Sequence, residues 1–317
     1  MTRTLRIGTR SSQLALWQAN RVTSLIAALP GAPATQLVHI RTEGDVRTDV
    51  PLWAVDGRAF FTKEIDRALL AGEIDVAVHS LKDLTTQMER GIVLAAVLTR
   101  EDPRDALLCR EVRGLADLPP GAKVGTSSLR RRAFLRRARP DIELIELRGN
   151  VPTRIEKLDR GDYDAIVLAT AGLKRLGLDG RITAHLPAED FPPAVSQGAI
   201  GVCCRADDQE TMQWLAPLDD RATRIATTAE RALLRRIEGG CQVPLGALAR
   251  VEVDRLRMHA AVCTLDGTTM LRTEGEMPAS VDDASRLGER LAEDLLAQGA
   301  DRIIAQQRPG RPQVAAP

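Results

Sequence analysis

Short apolar runs that end in polar clusters recur along the chain, separated by segments with helical periodicity. The clearest is Ile74-Asp75-Val76-Ala77-Val78-His79-Ser80-Leu81-Lys82-Asp83. Its apolar, β-branched half reads as a strand buried on both faces of a parallel sheet, and Gly72 before it closes a helix. An imidazole, a hydroxyl, an ammonium and a carboxylate then follow within five positions. Ligands of open α/β sheets bind outside the carboxyl ends of the strands, where these groups would sit. Alone, such a cluster is an ordinary solvated strand end; the rest of the chain changes that reading.

Leu5 to Thr9 predicts a first strand, and Ser11 or Ser12 caps a helix with Leu14, Trp17, Val22, Leu25, Ile26 and Leu29 among its apolar positions. Leu37 to Ile40 predicts a second strand, and Lys63 to Leu70 a helix leading into the run at Ile74. The same order returns downstream. Lys123 to Ser128 is strand, Gly-Thr, serines and a helix start; Glu143 to Leu147 is a strand running into Arg148-Gly149-Asn150. A helix around Thr153 to Leu158 then leads to Gly161-Asp162-Tyr163-Asp164-Ala165-Ile166-Val167-Leu168, the counterpart of Gly72 to Val78. Three matches in register imply two similar α/β lobes facing across a cleft.

Asp102-Pro103 and Asp190 to Pro193 read as hinge segments, and Gln197 to Val202 as a strand returning to the first lobe. From Thr227 the pattern changes to a helix reaching Ile237, three candidate strands (Leu245–Val253, Arg257–Thr264, Thr268–Glu276) and an amphipathic helix from Asp282 to Gln298. The expected domains are 1–99 with 198–217, 104–192 and 222–306, followed by a disordered tail over 307–317.

Composition narrows the function. The 317 residues are 44% hydrophobic and 27% charged with a net charge of +1, so no global field favours nucleic acid or membrane. Aromatic residues make up 3%, too few for a surface that grips bases by stacking. Cys109, Cys203, Cys204, Cys241 and Cys263 are odd in number without C-x-x-C spacing, and His39, His79, His185 and His259 are scattered, so neither a disulfide framework nor a metal site is expected. Arg3, Arg6 and Arg10 interrupt the first ten residues, which fits no signal peptide or span, and a reducing cytosol is the expected compartment.

Arginine is the plainest chemical signal. Arg130 and Arg131 follow the Thr126-Ser127-Ser128 turn, Arg10 occupies the equivalent turn of the first lobe, and Arg148 and Arg154 flank the next strand end. Guanidinium forks beside helix N-termini favour carboxylate or phosphate. A polyanionic small molecule in the cleft is therefore expected, with Arg136, Arg137 and Arg139 left as a solvated helix face. Asp83 among these cations suits charge stabilisation or proton transfer, and a structural ion pair equally well. Cys241, in Gly239-Gly240-Cys241-Gln242-Val243-Pro244, suits nucleophilic or attachment chemistry, although a lone cysteine is more often a small buried hydrophobe.

Seven collinear stretches resemble the porphobilinogen deaminase family. They are Gly8-Thr9-Arg10-x-Ser12-x-Leu14-Ala15-Leu16-Trp17-Gln18, His79-Ser80-Leu81-Lys82-Asp83, Glu101-Asp102-Pro103-Arg104-Asp105 and Gly125-Thr126-Ser127-Ser128-Leu129-Arg130-Arg131. Arg148-Gly149-Asn150-Val151-x-Thr153-Arg154, Gln197-Gly198-Ala199 and the Cys241 turn complete the set. The resemblance implies two periplasmic-binding-protein-like α/β lobes with a hinge, plus a small C-terminal α+β domain. It also implies a monomeric enzyme with a dipyrromethane cofactor, joined to Cys241 by a thioether and made from the substrate. Four porphobilinogen units would be added in turn with loss of ammonia, and the linear tetrapyrrole then released by hydrolysis.

Asp83 matches the family's catalytic carboxylate. Arg10, Ser12, Gln18, Arg58, Ser80, Lys82, Thr126, Ser127, Ser128, Arg130, Arg131, Arg148, Gly149, Arg154, Gln197 and Gly198 are the implied substrate- and cofactor-binding residues. Asp56-Gly57-Arg58-Ala59 departs from the family's usual Gly-Gly-Lys-Gly, Thr85 from a proline and Ser196 from a glycine. The rival readings are a two-lobed anion-binding or sensor protein without catalysis, and a nucleic-acid binder using Arg130 to Arg139. The first gives Cys241 no role; the second conflicts with the charge balance and the scarce aromatics.

Overall fold

The computed structural model describes residues 3–42, 62–237 and 243–306. The chain opens with β1 (Leu5–Thr9), α1 (Gln13–Ala27), β2 (Thr35–His39), α2 (Lys63–Leu70), β3 (Val76–Ser80), a 3-10 turn over Leu81–Asp83 and β4 (Ile92–Val97). A second set follows: β5 (Asp105–Cys109), β6 (Lys123–Gly125), α3 (Leu129–Ala138), β7 (Glu143–Ile145), α4 (Val151–Asp159), β8 (Ala165–Ala169), α5 (Thr170–Arg175) and β9 (Ala184–His185). The chain then runs through β10 (Ile200–Arg205), α6 (Gln209–Leu215) and α7 (Arg221–Arg236). β11 (Leu245–Glu252), β12 (Arg255–Cys263), β13 (Met270–Pro278), α8 (Val281–Ala297) and α9 (Ala300–Ala305) complete it.

Two five-stranded sheets share one plan, β2-β1-β3-β10-β4 and β7-β6-β8-β5-β9. In each, the first three strands are parallel. The fourth position holds an antiparallel strand that enters directly after a crossing between lobes: β10 beside β3 and β4, β5 beside β8 and β9. The expectation of a parallel sheet around β3 is therefore corrected to a mixed one. Its apolar run is continuous because both faces are covered, by α1 with Ala19, Val22 and Ile26 and by α2 with Ile65 and Leu69.

Local chemistry sets the helix starts. Ser12 caps α1 through its Oγ, which accepts from Ala15 N at 3.3 Å; Ser128 caps α3 by accepting from Arg131 N at 3.4 Å, and Asn150 caps α4 by accepting from Thr153 N at 3.0 Å. The C-terminal unit is an antiparallel sheet, β11-β12-β13, packed on α7 and α8 through Ile225, Ala229, Leu233, Leu287, Leu291 and Leu295. A side chain at Gly288 would meet Ala229 O at 2.1 Å, so only glycine lets α8 approach the α7 backbone this closely. The fold is the expected α/β class: two lobes of like sheet topology joined by two crossings, plus a small α+β domain.

Candidate active site

The carboxyl ends of β3 and β8 face a cavity of about 100 Å³ between the lobes. Ser80, Lys82, Gln197 and Gly198 line it from the first lobe and the hinge; Arg131, Arg154 and Arg175 line it from the second lobe, over an apolar floor that includes Leu14 and Gly172. Among the described residues the lining contains four cationic side chains and no carboxylate.

A relay of hydrogen bonds joins the lobes beneath this lining. Lys82 Nζ donates to Gln197 Oε1 at 3.2 Å, and Gln197 Nε2 donates to Pro103 O and to Asp105 Oδ1, each at 2.8 Å. Asp105 is buried and pairs with Arg131 Nη2 and Arg130 Nη1, both at 2.8 Å. These cations hold its carboxyl well below the usual carboxylate range against the opposing effect of burial. One carboxylate thus serves two guanidinium groups and, through Gln197, reaches a lysine.

Desolvation is the largest influence on Lys82, Arg154 and Arg175 of the cavity. It lowers Lys82 to about 8, with Asp83 opposing the shift and Arg131 reinforcing it. Burial likewise lowers Arg154 to about 10, helped by Arg131 and Arg148, and Arg175 to about 10. An anion entering the cavity would restore the stability of these charged forms. His79, behind the β3 strand end, is held neutral, lowered to about 4 by burial and by Arg10.

Six of the residues expected from sequence come together on this cavity: Ser80, Lys82, Arg131, Arg154, Gln197 and Gly198. The others take supporting places. Gln18 Nε2 donates to Ser80 Oγ at 2.8 Å, Ser12 and Ser128 are helix caps, and Thr126 Oγ1 accepts from Ser128 N at 3.3 Å. Ser127 Oγ donates to Leu147 O at 2.5 Å. Arg130, expected to face the ligand, is instead turned inward, donating to Pro192 O at 2.8 Å and pairing with Asp105. Gly149 has φ +114°, and its carbonyl accepts from Arg154 Nε at 2.7 Å. Arg10 follows the end of β1, Arg148 lies within electrostatic range of Arg154, and half-buried Asp83 closes the 3-10 turn beside Lys82. Cys241 and Arg58, with the rest of Asp56 to Ala59, lie outside the described residues, as does the 307–317 tail.

Arg136, Arg137 and Arg139, expected as a solvated face, brace local structure. Arg136 donates to Pro140 O and Ile142 O, Arg137 to Gly267 O, and Arg139 to Asp141 and Leu115 O. Two site residues escaped the sequence reading. Asp105 lies in a quoted motif, but its role needs the fold to bring Arg130 and Arg131 to it. Arg175 donates to Gly198 O at 2.6 Å, and its guanidinium carbon lies 5.7 Å from the centre of the Trp17 ring. It lies on α5, the helix that directly follows β8, three residues beyond Gly172, which is the repeat counterpart of Asp83, so the repeat alone does not single it out.

Among the described residues no helix is long and apolar enough to cross a membrane, and no group of histidine, cysteine or acidic side chains could hold a metal ion. The chain matches the family model described as porphobilinogen deaminase, dipyromethane cofactor binding domain, over residues 5–213. It matches the porphobilinogen deaminase C-terminal domain over residues 224–297. Similar solved structures include the methionine-binding protein MetQ, at 14% identity and a TM-score of 0.45 over 72% of this chain and 93% of that one. A nutrient-binding protein from Burkholderia cenocepacia bound to methionine is 17% identical, with a TM-score of 0.42 over 67% and 89% of the two chains.

Proposed function

The chain belongs to the porphobilinogen deaminase family of tetrapyrrole biosynthesis, and from that premise we propose that it is a hydroxymethylbilane-forming transferase. It joins four porphobilinogen units head to tail, losing one ammonia per unit, and water then releases the linear tetrapyrrole. The observation that carries this reading is the cavity lined by Lys82, Arg131, Arg154 and Arg175 without a carboxylate. Each pyrrole unit brings an acetate and a propionate, and each charge-assisted hydrogen bond to them contributes about 1.5–3 kcal/mol.

The matched domain is the one that binds dipyrromethane, and the donor set fits it: several half-buried or buried cations converging on one cavity suit a group bearing several carboxylates. Arg131, Arg154 and Lys82 would hold those carboxylates, and Cys241 would form the thioether. When bound, the cofactor supplies the unsubstituted pyrrole carbon that serves as primer.

Asp83 is the proposed catalytic residue. As ammonia leaves the incoming unit, the ring nitrogen supplies its electron pair and an electron-poor methylene-pyrrole cation develops on the substrate. The Asp83 carboxylate, accepting from pyrrole N–H, stabilises that cation; in its protonated form it delivers a proton to the departing amine. Gln197 holds Lys82 toward the substrate, and Gln18 orients the Ser80 hydroxyl. Movement of the lobes about residues 99–104 and 193–199 would admit successive rings. We place the lobes at 1–99 with 198–217 and 104–192, the third domain at 222–306, and a monomeric enzyme in the cytoplasm.

Incubation with porphobilinogen tests the reading. We expect substrate loss matched by ammonia release, four units consumed per tetrapyrrole, and a fall in kcat of about 10²–10⁴-fold in Asp83→Asn. A protein that binds porphobilinogen and releases no ammonia would overturn it.

A further inference from the structure

The loop that follows Asp83 is held by the third domain. Arg231, on α7, donates from Nη1 to Leu84 O at 3.2 Å and from Nη2 to Thr85 O at 2.5 Å. A planar fork on two successive carbonyls fixes the direction of both peptide units, which a lysine could not do. Upstream, Leu81 N donates to Ala199 O at 3.0 Å, and Leu84 N donates to Leu81 O at 3.2 Å. Between these anchors lie only Lys82 and Asp83.

We propose that Arg231 is a positioning residue that sets the catalytic geometry of Asp83 from the domain bearing Cys241. The inference rests on the reading of Asp83 as the catalytic carboxylate. Three features support it. Arg231 neighbours Glu230, which is buried and bonds both hinge segments, so its own helix is immobilised against the lobes. Arg231 lies within a single helix, Arg221–Arg236, whose buried face packs into the third domain's core, so its guanidinium is carried by a rigid element. In addition, position 85 is a threonine, so no pyrrolidine ring restrains the loop from within. Here the Thr85 hydroxyl donates to Gln87 O at 2.5 Å and Arg231 holds the Thr85 carbonyl.

This arrangement allows a rescue experiment. Leu84 has φ −76° and ψ 136°, the extended region that a residue before proline prefers, and the Thr85 N–H makes no bond to the described residues. Proline at position 85 can therefore restrain the loop from within. Kinetics with porphobilinogen would be measured for wild type, R231Q, R231K and R231Q/T85P, with intact mass to count the attached cofactor.

The expected result is unchanged cofactor loading in R231Q and a kcat lowered about 10- to 100-fold, the scale of a small misplacement of a catalytic group. KM should stay within about twofold, because an interaction felt only in the transition state lowers kcat and kcat/KM together. R231K should lose most of the same activity, and R231Q/T85P should recover at least half of the lost kcat on a logarithmic scale. Should R231Q fail to fold, R231K alone decides, by the same split between kcat and KM. Equal kcat in the variants and wild type, or a loss confined to KM, would overturn the proposal. So would a loss in R231Q that T85P leaves unrepaired. If wild type itself turns nothing over, the family-based reading fails and this one falls with it, an outcome visible without any variant.

Discussion

Arg100 and Glu230 meet as a buried two-pronged ion pair, Nη1 to Oε1 at 2.6 Å and Nη2 to Oε2 at 3.1 Å. Arg100 begins the first crossing between lobes and Glu230 belongs to α7 of the third domain. The same carboxylate accepts from Ser196 N, on the second crossing, at 2.6 Å and from Ala249 N of β11 at 2.8 Å. One side chain therefore ties both hinge segments to the C-terminal sheet, and the third domain sets where the hinge begins.

Replacing Glu230 by Gln should lower the unfolding free energy by about 3–5 kcal/mol. Oε2 accepts from two donors, so an amide NH₂ placed there faces N–H groups, while the Arg100 charge stays buried without its partner. Urea unfolding measures the loss. A change below about 1 kcal/mol would show that the pair is dispensable.

Ser196 occupies a backbone position suited to glycine. Its φ of 63° lies in the left-handed region that favours glycine, and its hydroxyl is buried without a hydrogen-bond partner among the described residues. The strain costs a non-glycine residue about 1–2 kcal/mol, partly offset by the greater freedom of glycine in the unfolded chain. We predict that Ser196→Gly stabilises the protein by about 1 kcal/mol and raises Tm by about 2 °C. Ser196→Ala, which keeps the strain, should give less than half of that, and thermal melts of the two variants check both statements.

Lys82 sets a pH dependence. Its lowered value, about 8, means that the free enzyme loses this charge as pH rises through that point. A bound carboxylate favours the protonated amine, so binding above pH 8 requires proton uptake. KM for porphobilinogen should then rise by up to about tenfold per pH unit above 8, until the higher value of the bound state is passed. Lys82→Arg, charged throughout, should flatten this rise. An unchanged slope in that variant would assign the titration to another group.

Much of this architecture was legible in the residue pattern. The lobe repeat, the helix at Lys63 to Leu70, a cap at Ser11 or Ser12 and the return strand near Ile200 follow from local periodicity and capping chemistry. What local signals did not carry was partnership across the chain. β4 and β5 went unrecognised, and β5 and β10 could be placed as antiparallel only from their neighbours. Arg130 reads as a ligand residue until Asp105, 25 positions earlier, is seen to hold it from inside the lobe. Arg231 and Glu230 look like an ordinary charged helix surface, because Leu84, Thr85 and Arg100, which they bond, lie more than a hundred residues away.

The central claim is that this protein carries its own covalent pyrrole primer on Cys241 and extends it. Intact mass of the purified protein, before and after addition of porphobilinogen and beside a Cys241→Ser variant, tests it most directly. The account predicts wild-type mass above that of the sequence by a covalent dipyrrole, further pyrrole increments after substrate is added, and neither in the variant. A wild-type protein that stays unmodified after porphobilinogen is added, or an adduct that persists in Cys241→Ser, would contradict it.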